Sequence, residues 1–252
     1  MFADDALTND AFLGGKLYLW QPRQGYRAAT DPVLLAACSP AQAGQSVLDL
    51  GCGAGAAALC LGARVPGLLL SGLEVQPAYA DLARRNAARA GVALTVAEGS
   101  VLDMPRSLRV DFDHVITNPP YYPPMGTPAR DPGRNLALHE EVSLLDWVTA
   151  AQRRVVPLGW LTLIVRTDRM ADALAGLGDT MGSVAVQPFA PRAGREAGRV
   201  VIRARKGGRG ALRLLAPFVL HDGSEHSGDR DSYSAAAKAV FRDGAGLDHL
   251  FT

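Results

Sequence analysis

The chain has 252 residues, 48% hydrophobic and 20% charged, with a net charge of +1, which suits one α/β domain with a well-buried core. No run approaches the roughly 18 consecutive apolar residues that cross a bilayer, and the opening Met1-Phe2-Ala3-Asp4-Asp5 lacks the layout of an export signal. Cys38, Cys52 and Cys60 sit in no CxxC or Cys/His cluster, which argues against a zinc site or disulfide framework and for a reducing cytoplasm.

Residues 1–45 are too few for a core of their own and read as an extension contributing to a cleft, ahead of one domain over 46–252. From there short apolar runs alternate with helical ones. A strand is expected over 46–50 and a helix over 54–65, stopped by Pro66. A second strand spans 68–73 and ends at Glu74; a helix over 77–90 has Pro77 near its start and Gly91 past its end. Strands follow over 93–97 and 112–117, a helix over 144–155, a strand over 160–165 and a short helix over 168–177. Two last strands, 183–187 and 199–204, have no helix between them and predict an antiparallel hairpin at one edge. The run 212–220 closes the series. The expected fold is an α/β, Rossmann-like sandwich on a mostly parallel seven-stranded sheet. Residues 123–135 and 221–231, rich in Gly with Pro or charge, read as mobile loops.

Asp49-Leu50-Gly51-Cys52-Gly53-Ala54-Gly55 places three alternate glycines between the first strand and its helix. Glycine there turns the backbone sharply and leaves room for a ligand. The spacing is GxGxG and not the GxGxxG of dinucleotide sites. Asp49 would repel a pyrophosphate, yet it suits a ligand carrying an amino group and a sulfonium. A plain tight turn would also use these glycines. Glu74, 19 positions beyond Gly55, stands where a carboxylate accepts hydrogen bonds from both hydroxyls of a ribose; the alternative is a surface Glu.

The fourth strand runs into Asn118-Pro119-Pro120-Tyr121, the most specific element of the chain. Two prolines stiffen the backbone and remove two N–H donors. An exocyclic amino or amide nitrogen is a poor nucleophile because its lone pair is delocalised. The Asn118 side-chain oxygen and the Pro119 carbonyl can accept its two N–H bonds, aim the lone pair at an incoming methyl and stabilise the developing positive charge. Tyr121 offers a flat face for stacking a base. A sulfonium leaving group is already activated, so no His/Asp or Ser/His pair is needed. A rigid turn that merely ends a strand is the plain alternative.

The glycine loop, Glu74 and the tetrapeptide resemble the class I S-adenosylmethionine (SAM)-dependent N-methyltransferases, from about Gly25 to Val165. Within that class, Gly25-Tyr26-Arg27-Ala28-Ala29-Thr30-Asp31-Pro32, Tyr122 after the tetrapeptide and Tyr233-Ser234 near the end look like the bacterial tRNA1(Val) adenine-N6 methyltransferases, which act on an adenosine beside the anticodon. The resemblance implies SAM as cofactor. Thr30, Asp31, Asp49, Gly51, Gly53, Gly55, Glu74 and Asn118 would be cofactor residues, with Thr30 and Asp31 at its methionine end. Asn118, Pro119 and Tyr121 would be the catalytic group. Where such enzymes carry Gly-Asp after the third strand, this chain has Gly99-Ser100, so Ser100 or Asp103 would face the cofactor adenine.

Substrate contacts are expected from Pro120, Tyr121 and Tyr122, from Arg130 and Arg134 in the adjoining loop, and from Arg192 and Arg195. The last two belong to a stretch, 186–213, holding Arg192, Arg195, Arg199, Arg203, Arg205, Lys206, Arg209 and Arg213 against Glu196 alone. That is +7, so the rest of the chain sums to −6. Such asymmetry marks a polyanion-binding surface or a solvated arginine-rich strand edge. Tyr26 and Arg27 either bind a substrate phosphate or shape the cofactor entrance. His114 reads as a packed strand histidine, His139-Glu140-Glu141 as a helix start, and Trp20, Trp147 and Trp160 as core. The expected partner is tRNA, with no membrane and no metal, as a monomer or homodimer. The same tetrapeptide serves methylation of a glutamine amide in translation release factors, although the residues before the first strand leave little room for that family's helical domain. Guanine-N2 methylation of ribosomal RNA is a third acceptor. A binding module without catalysis and an NAD-dependent oxidoreductase fit the tetrapeptide less well.

Overall fold

The computed structural model describes residues 1–120, 142–223 and 232–252. Strands β1 (Leu7–Phe12) and β2 (Leu17–Pro22) pair antiparallel across a turn at Leu13–Gly15. Helix α1 (Asp31–Cys38) begins at Thr30, whose carbonyl accepts from Val33 and Leu34, with Pro32 where a missing N–H costs nothing. Then come β3 (Ser46–Leu50), α2 (Ala56–Arg64), β4 (Leu69–Glu74), α3 (Pro77–Ala90), β5 (Leu94–Glu98) and β6 (Phe112–Thr117). Beyond residue 141 lie α4 (Leu144–Arg153), β7 (Val155–Arg166), α5 (Met170–Ala175), β8 (Met181–Ala190), β9 (Arg199–Lys206), β10 (Arg213–Leu214), β11 (Phe218–Val219) and α6 (Ala235–Lys238). Two caps are explicit: Ser143 accepts from the Asp146 N–H at the start of α4, and Gly91 ends α3 in the left-handed region.

Among the described residues the main sheet has nine strands in the order β10-β8-β9-β7-β6-β3-β4-β5, with β11 also on β8. The five strands from β7 to β5 are parallel, and β9 runs antiparallel between β7 and β8. The sandwich and its antiparallel edge hairpin are as expected; the count of seven is corrected by two. The run 212–220 supplies the extra pair, because its backbone satisfies the open edge of β8: Leu215 N–H reaches the Val186 carbonyl and Leu220 N–H the Ala190 carbonyl, each at 2.9 Å. Helix α2 starts at Ala56 and not at 54, since Gly53 and Gly55 sit at φ +54° and +85°, outside any helix.

Side chains alternate between two cores, as strand geometry demands. Val47, Ile116, Ile164 and Val201 face α1, α2 and the C-terminal helices; Leu48, Val115, Leu161, Leu163 and Ile202 face α4 and α5. The chain leaves β3 for β4 and β5 on one side, then returns to β6 on the other. That reversal opens a crevice at the C-terminal ends of β3, β4 and β6, where such sheets take their ligands. No helix among the described residues is long and apolar enough to cross a membrane.

Candidate active site

A cavity of about 440 Å³ opens at that crevice. Asp49, Gly51 and Gly53 line it from β3 and its loop, Glu74 to Gln76 from the end of β4, and Asn118 to Pro120 from the end of β6. Gln21, Tyr26, Arg27 and Pro32 close it from the N-terminal side, while Val142 and Trp147 come from the other. The volume is that of an ordinary small-molecule site.

The glycine loop is held from both ends. The Gly51 and Cys52 N–H groups donate to the Leu73 carbonyl at 2.9 Å, and Gly53 N–H donates to Glu74 Oε2 at 2.9 Å. The other Glu74 oxygen accepts from Gln76 N–H at 2.9 Å, so the carboxylate is fixed at the rim of β4. Asp49 is 2% exposed and accepts from Ala58 N–H in the first turn of α2 at 3.1 Å. Gly51 has φ +77°, and a Cβ there would stand 2.7 Å from the Trp147 ring. The Trp147 indole N–H donates to Thr117 Oγ1 at 2.8 Å, and the Thr117 hydroxyl donates to the Leu50 carbonyl at 2.7 Å. Tryptophan thus caps the loop, and α4 is bolted to the ends of β3 and β6.

The donor set fits SAM. Two buried carboxylates face the cavity, and Arg27, the one cation among its described lining residues, is already held by Asp10 at 2.6 Å. A cationic ligand is favoured and a pyrophosphate is not. Beside Glu74 the walls are Val75, Gly99 and Val101, apolar surfaces that suit a flat ring. Among the described residues no group of three His, Cys, Asp or Glu could hold a metal.

The expected site residues distribute unevenly. Asp49, Gly51, Gly53, Glu74, Asn118, Pro119 and Pro120 meet in the one cavity. Gly55 sits just behind it, where a Cβ would touch Leu59, Ala83 and Leu94 at 3.3–3.4 Å. Thr30 and Asp31 stand at the start of α1 next to Pro32, with Asp31 paired to Arg199 at 3.0 Å. Ser100 accepts from Leu102 N–H at 3.2 Å while its neighbours Gly99 and Val101 line the cavity. Asp103 is turned to solvent and pairs with Arg109 at 2.8 Å, away from the cavity lining. Arg192 departs from a substrate-facing role: it is 8% exposed and donates to the Asp222 and Gly223 carbonyls, whereas Arg195 is exposed. Tyr121, Tyr122, Arg130, Arg134 and His139-Glu140-Glu141 lie outside the described residues.

Three residues that shape the cavity carried no signal of their own: Gln21 and Trp147 line it, and Asn86 stands behind it. Gln21 takes the Ala28 N–H at 2.6 Å and donates to the Ala28 carbonyl at 3.1 Å, pinning the segment before α1. Asn86, fully buried on α3, accepts from Trp20 N–H at 2.8 Å and donates to the Trp20 and Ala54 carbonyls at 3.0 Å, joining β2 to the glycine loop from behind. Trp147, read from sequence as core, is a cavity wall; its partner Thr117 lies 30 positions away and no spacing rule links them.

Residues 29–130 match the family model of the methyltransferase small domain. A tRNA1(Val) (adenine(37)-N6)-methyltransferase of Aeromonas hydrophila is 31% identical over 204 residues, covering 79% of this chain and 85% of that one. A release factor glutamine methyltransferase of Deinococcus radiodurans is 36% identical over 171 residues, covering 64% and 58%. Among solved structures, a predicted O-methyltransferase from Agrobacterium tumefaciens superposes with a TM-score of 0.69 at 27% identity, covering 86% of this chain and 98% of that one.

Proposed function

The chain belongs to the tRNA1(Val) (adenine(37)-N6)-methyltransferase family and is a SAM-dependent methyltransferase; from there we propose that it methylates the exocyclic N6 of an adenine in the anticodon loop of a tRNA, in the cytoplasm. The observation that carries this reading is that Asn118 and Pro119 line the same cavity as Gly51, Gly53 and Glu74. Bound SAM supplies a methyl group already activated on sulfur. Asp49 would hold its amino group, Glu74 its ribose hydroxyls, and Val75, Gly99 and Val101 would flank its adenine. The Asn118 side-chain oxygen and the Pro119 carbonyl accept the two N–H bonds of the target amine, which points its lone pair along the line of transfer. The amine loses one proton to solvent once the N–C bond has formed. An anticodon-loop base is cheap to splay out of its stack, so it can reach a cleft at the ends of the strands. In this reading residues 1–45 extend one domain and close its cleft, Pro120, Tyr121 and Tyr122 meet the base, and Arg130, Arg134 and Arg195 meet its backbone.

The test is nucleoside mass spectrometry of tRNA from a deletion strain beside its parent, with methyl transfer from labelled SAM to the deletion-strain tRNA. N6-methyladenosine should be missing from one tRNA and restored by the purified protein. Asn118→Ala should bind SAM nearly as well but turn over about 100-fold more slowly, as for loss of one transition-state hydrogen bond. No incorporation into any RNA would reject the substrate. The Deinococcus relative makes a release-factor glutamine amide the second acceptor, because that amide presents the same pair of N–H bonds; methylation of purified release factor, with RNA left unlabelled, would select it. N2-methylguanosine formed in ribosomal RNA, with tRNA left unlabelled, would select the third acceptor.

A further inference from the structure

Tyr26 enters the site from the segment between β2 and α1. Its backbone carbonyl accepts from the Tyr79 hydroxyl of α3 at 3.0 Å. Its ring stands 3.7 Å from where a Cβ on Gly53 would be, and its phenol oxygen accepts from Asn118 Nδ2 at 3.4 Å. One side chain therefore spans the cofactor loop and the acceptor end of β6. We propose that Tyr26 is a positioning residue for methyl transfer: its hydroxyl holds the Asn118 carboxamide with the nitrogen turned toward the phenol, while its ring closes over the cofactor at Gly53.

The inference rests on the reading that Asn118 receives the acceptor amine, and it adds what sets the direction of that amide. A carboxamide is planar, with oxygen and nitrogen on opposite sides of its axis. With the nitrogen engaged by Tyr26, the oxygen is the atom presented to an incoming N–H. In the opposite orientation the amide would offer N–H to N–H, and the amine would not be held. Tyr26 is 41% exposed as a residue, yet lost hydration at its phenol end, then the charges of Asp31 and Asp49, push the phenol's pKa upward. The hydroxyl therefore keeps its proton and adds no negative charge of its own beside Asp49 and Glu74. Because the Tyr26 carbonyl is tied to α3 and the ring lies at Gly53, the hydroxyl reaches Asn118 from a fixed base. A 3.4 Å contact in the cofactor-free protein is the sort that shortens when the complex assembles.

Tyr26→Phe removes the hydroxyl and keeps the ring. It should lower kcat about ten-fold, the usual effect of losing one hydrogen bond, with SAM affinity unchanged. In an Asn118→Ala background the same substitution should cost nothing further, because the group it acts through is gone. Tyr26→Ala should weaken SAM binding as well. A readout independent of the acceptor is the Asn118 side-chain amide signal of the isotope-labelled, SAM-bound protein, identified by its absence from Asn118→Ala. Tyr26→Phe should shift that signal and speed its exchange with solvent. An unmoved amide signal, or an equal loss of kcat with and without Asn118, overturns the proposal. Moved signals in a protein that leaves every tRNA unmethylated would instead reject the substrate and keep the positioning role.

Discussion

Burial pushes the Asp49 carboxyl up to about 7 from an ordinary 3.8, because lost hydration and the nearby Glu74 charge outweigh the Ala58 N–H. An unfolded chain would ionise this group from about pH 4, whereas the folded, cofactor-free protein holds its proton to about pH 7. This residue's contribution to stability therefore falls as pH rises across that window. A cationic ligand reverses the preference, since it selects the carboxylate. SAM should consequently bind about ten-fold more weakly at pH 6 than at pH 8, and titration calorimetry at both values measures it. Asp49→Asn should weaken binding and flatten the profile; a pH-independent Kd in the parent protein would show that Asp49 meets no cation. A sequence displays Asp49 before three glycines but not its burial, and burial is what turns a carboxylate into a pH-sensitive one.

At the scale of elements, the site depends on a joint between α4 and the ends of two strands. The Trp147–Thr117–Leu50 chain of hydrogen bonds crosses from helix to β6 to β3, and the same indole blocks any side chain at Gly51. Trp147→Phe keeps an aromatic plane but deletes the donor and part of the wall. It should lower folding stability by about 1–3 kcal/mol and loosen SAM, read by urea unfolding and by cofactor titration. Unchanged stability and unchanged Kd together would make this joint ornamental. The strands and most helices around it were legible from alternation and from punctuation such as Pro66, Pro77 and Gly91, since those signals are local. The joint was not, because Trp147 and Thr117 meet only through the folding of α4 onto the sheet.

For the molecule as a whole, several cations of 186–213 are engaged within the fold: Arg192 and Arg203 are buried, and Arg199 pairs with Asp31. Arg199 pairs in register with Arg166 at the cleft end of β9, and Arg205 with Trp160 at the opposite end, six residues or about 20 Å away. Arg203 is 5% exposed, lies over the Phe251 and Trp160 rings at 4.0 and 4.9 Å, and has its pKa drawn down to about 10 by burial. Arg213 donates to the Phe251 and Thr252 carbonyls. These two arginines anchor the C-terminal turn. Arg203→Met should leave tRNA affinity at matched salt unchanged, whereas Arg203→Ala should cost about 2–4 kcal/mol through lost packing, measured by thermal unfolding. A fall in tRNA affinity for the Met variant would return Arg203 to the RNA-binding surface.

Read alone, the order of residues settled the class of fold through alternating runs, and the resemblance carried by a glycine turn behind an acid and two prolines after an asparagine supplied the cofactor and the kind of chemistry; all of these are short-range signals. Tertiary structure alone brought Gln21 and Trp147 to the cleft, put Tyr26 at its entrance between the two roles the sequence left open, and showed which arginines are spent on packing. Burial and contact across tens or hundreds of positions are properties of the folded sheet, and no window of sequence contains them.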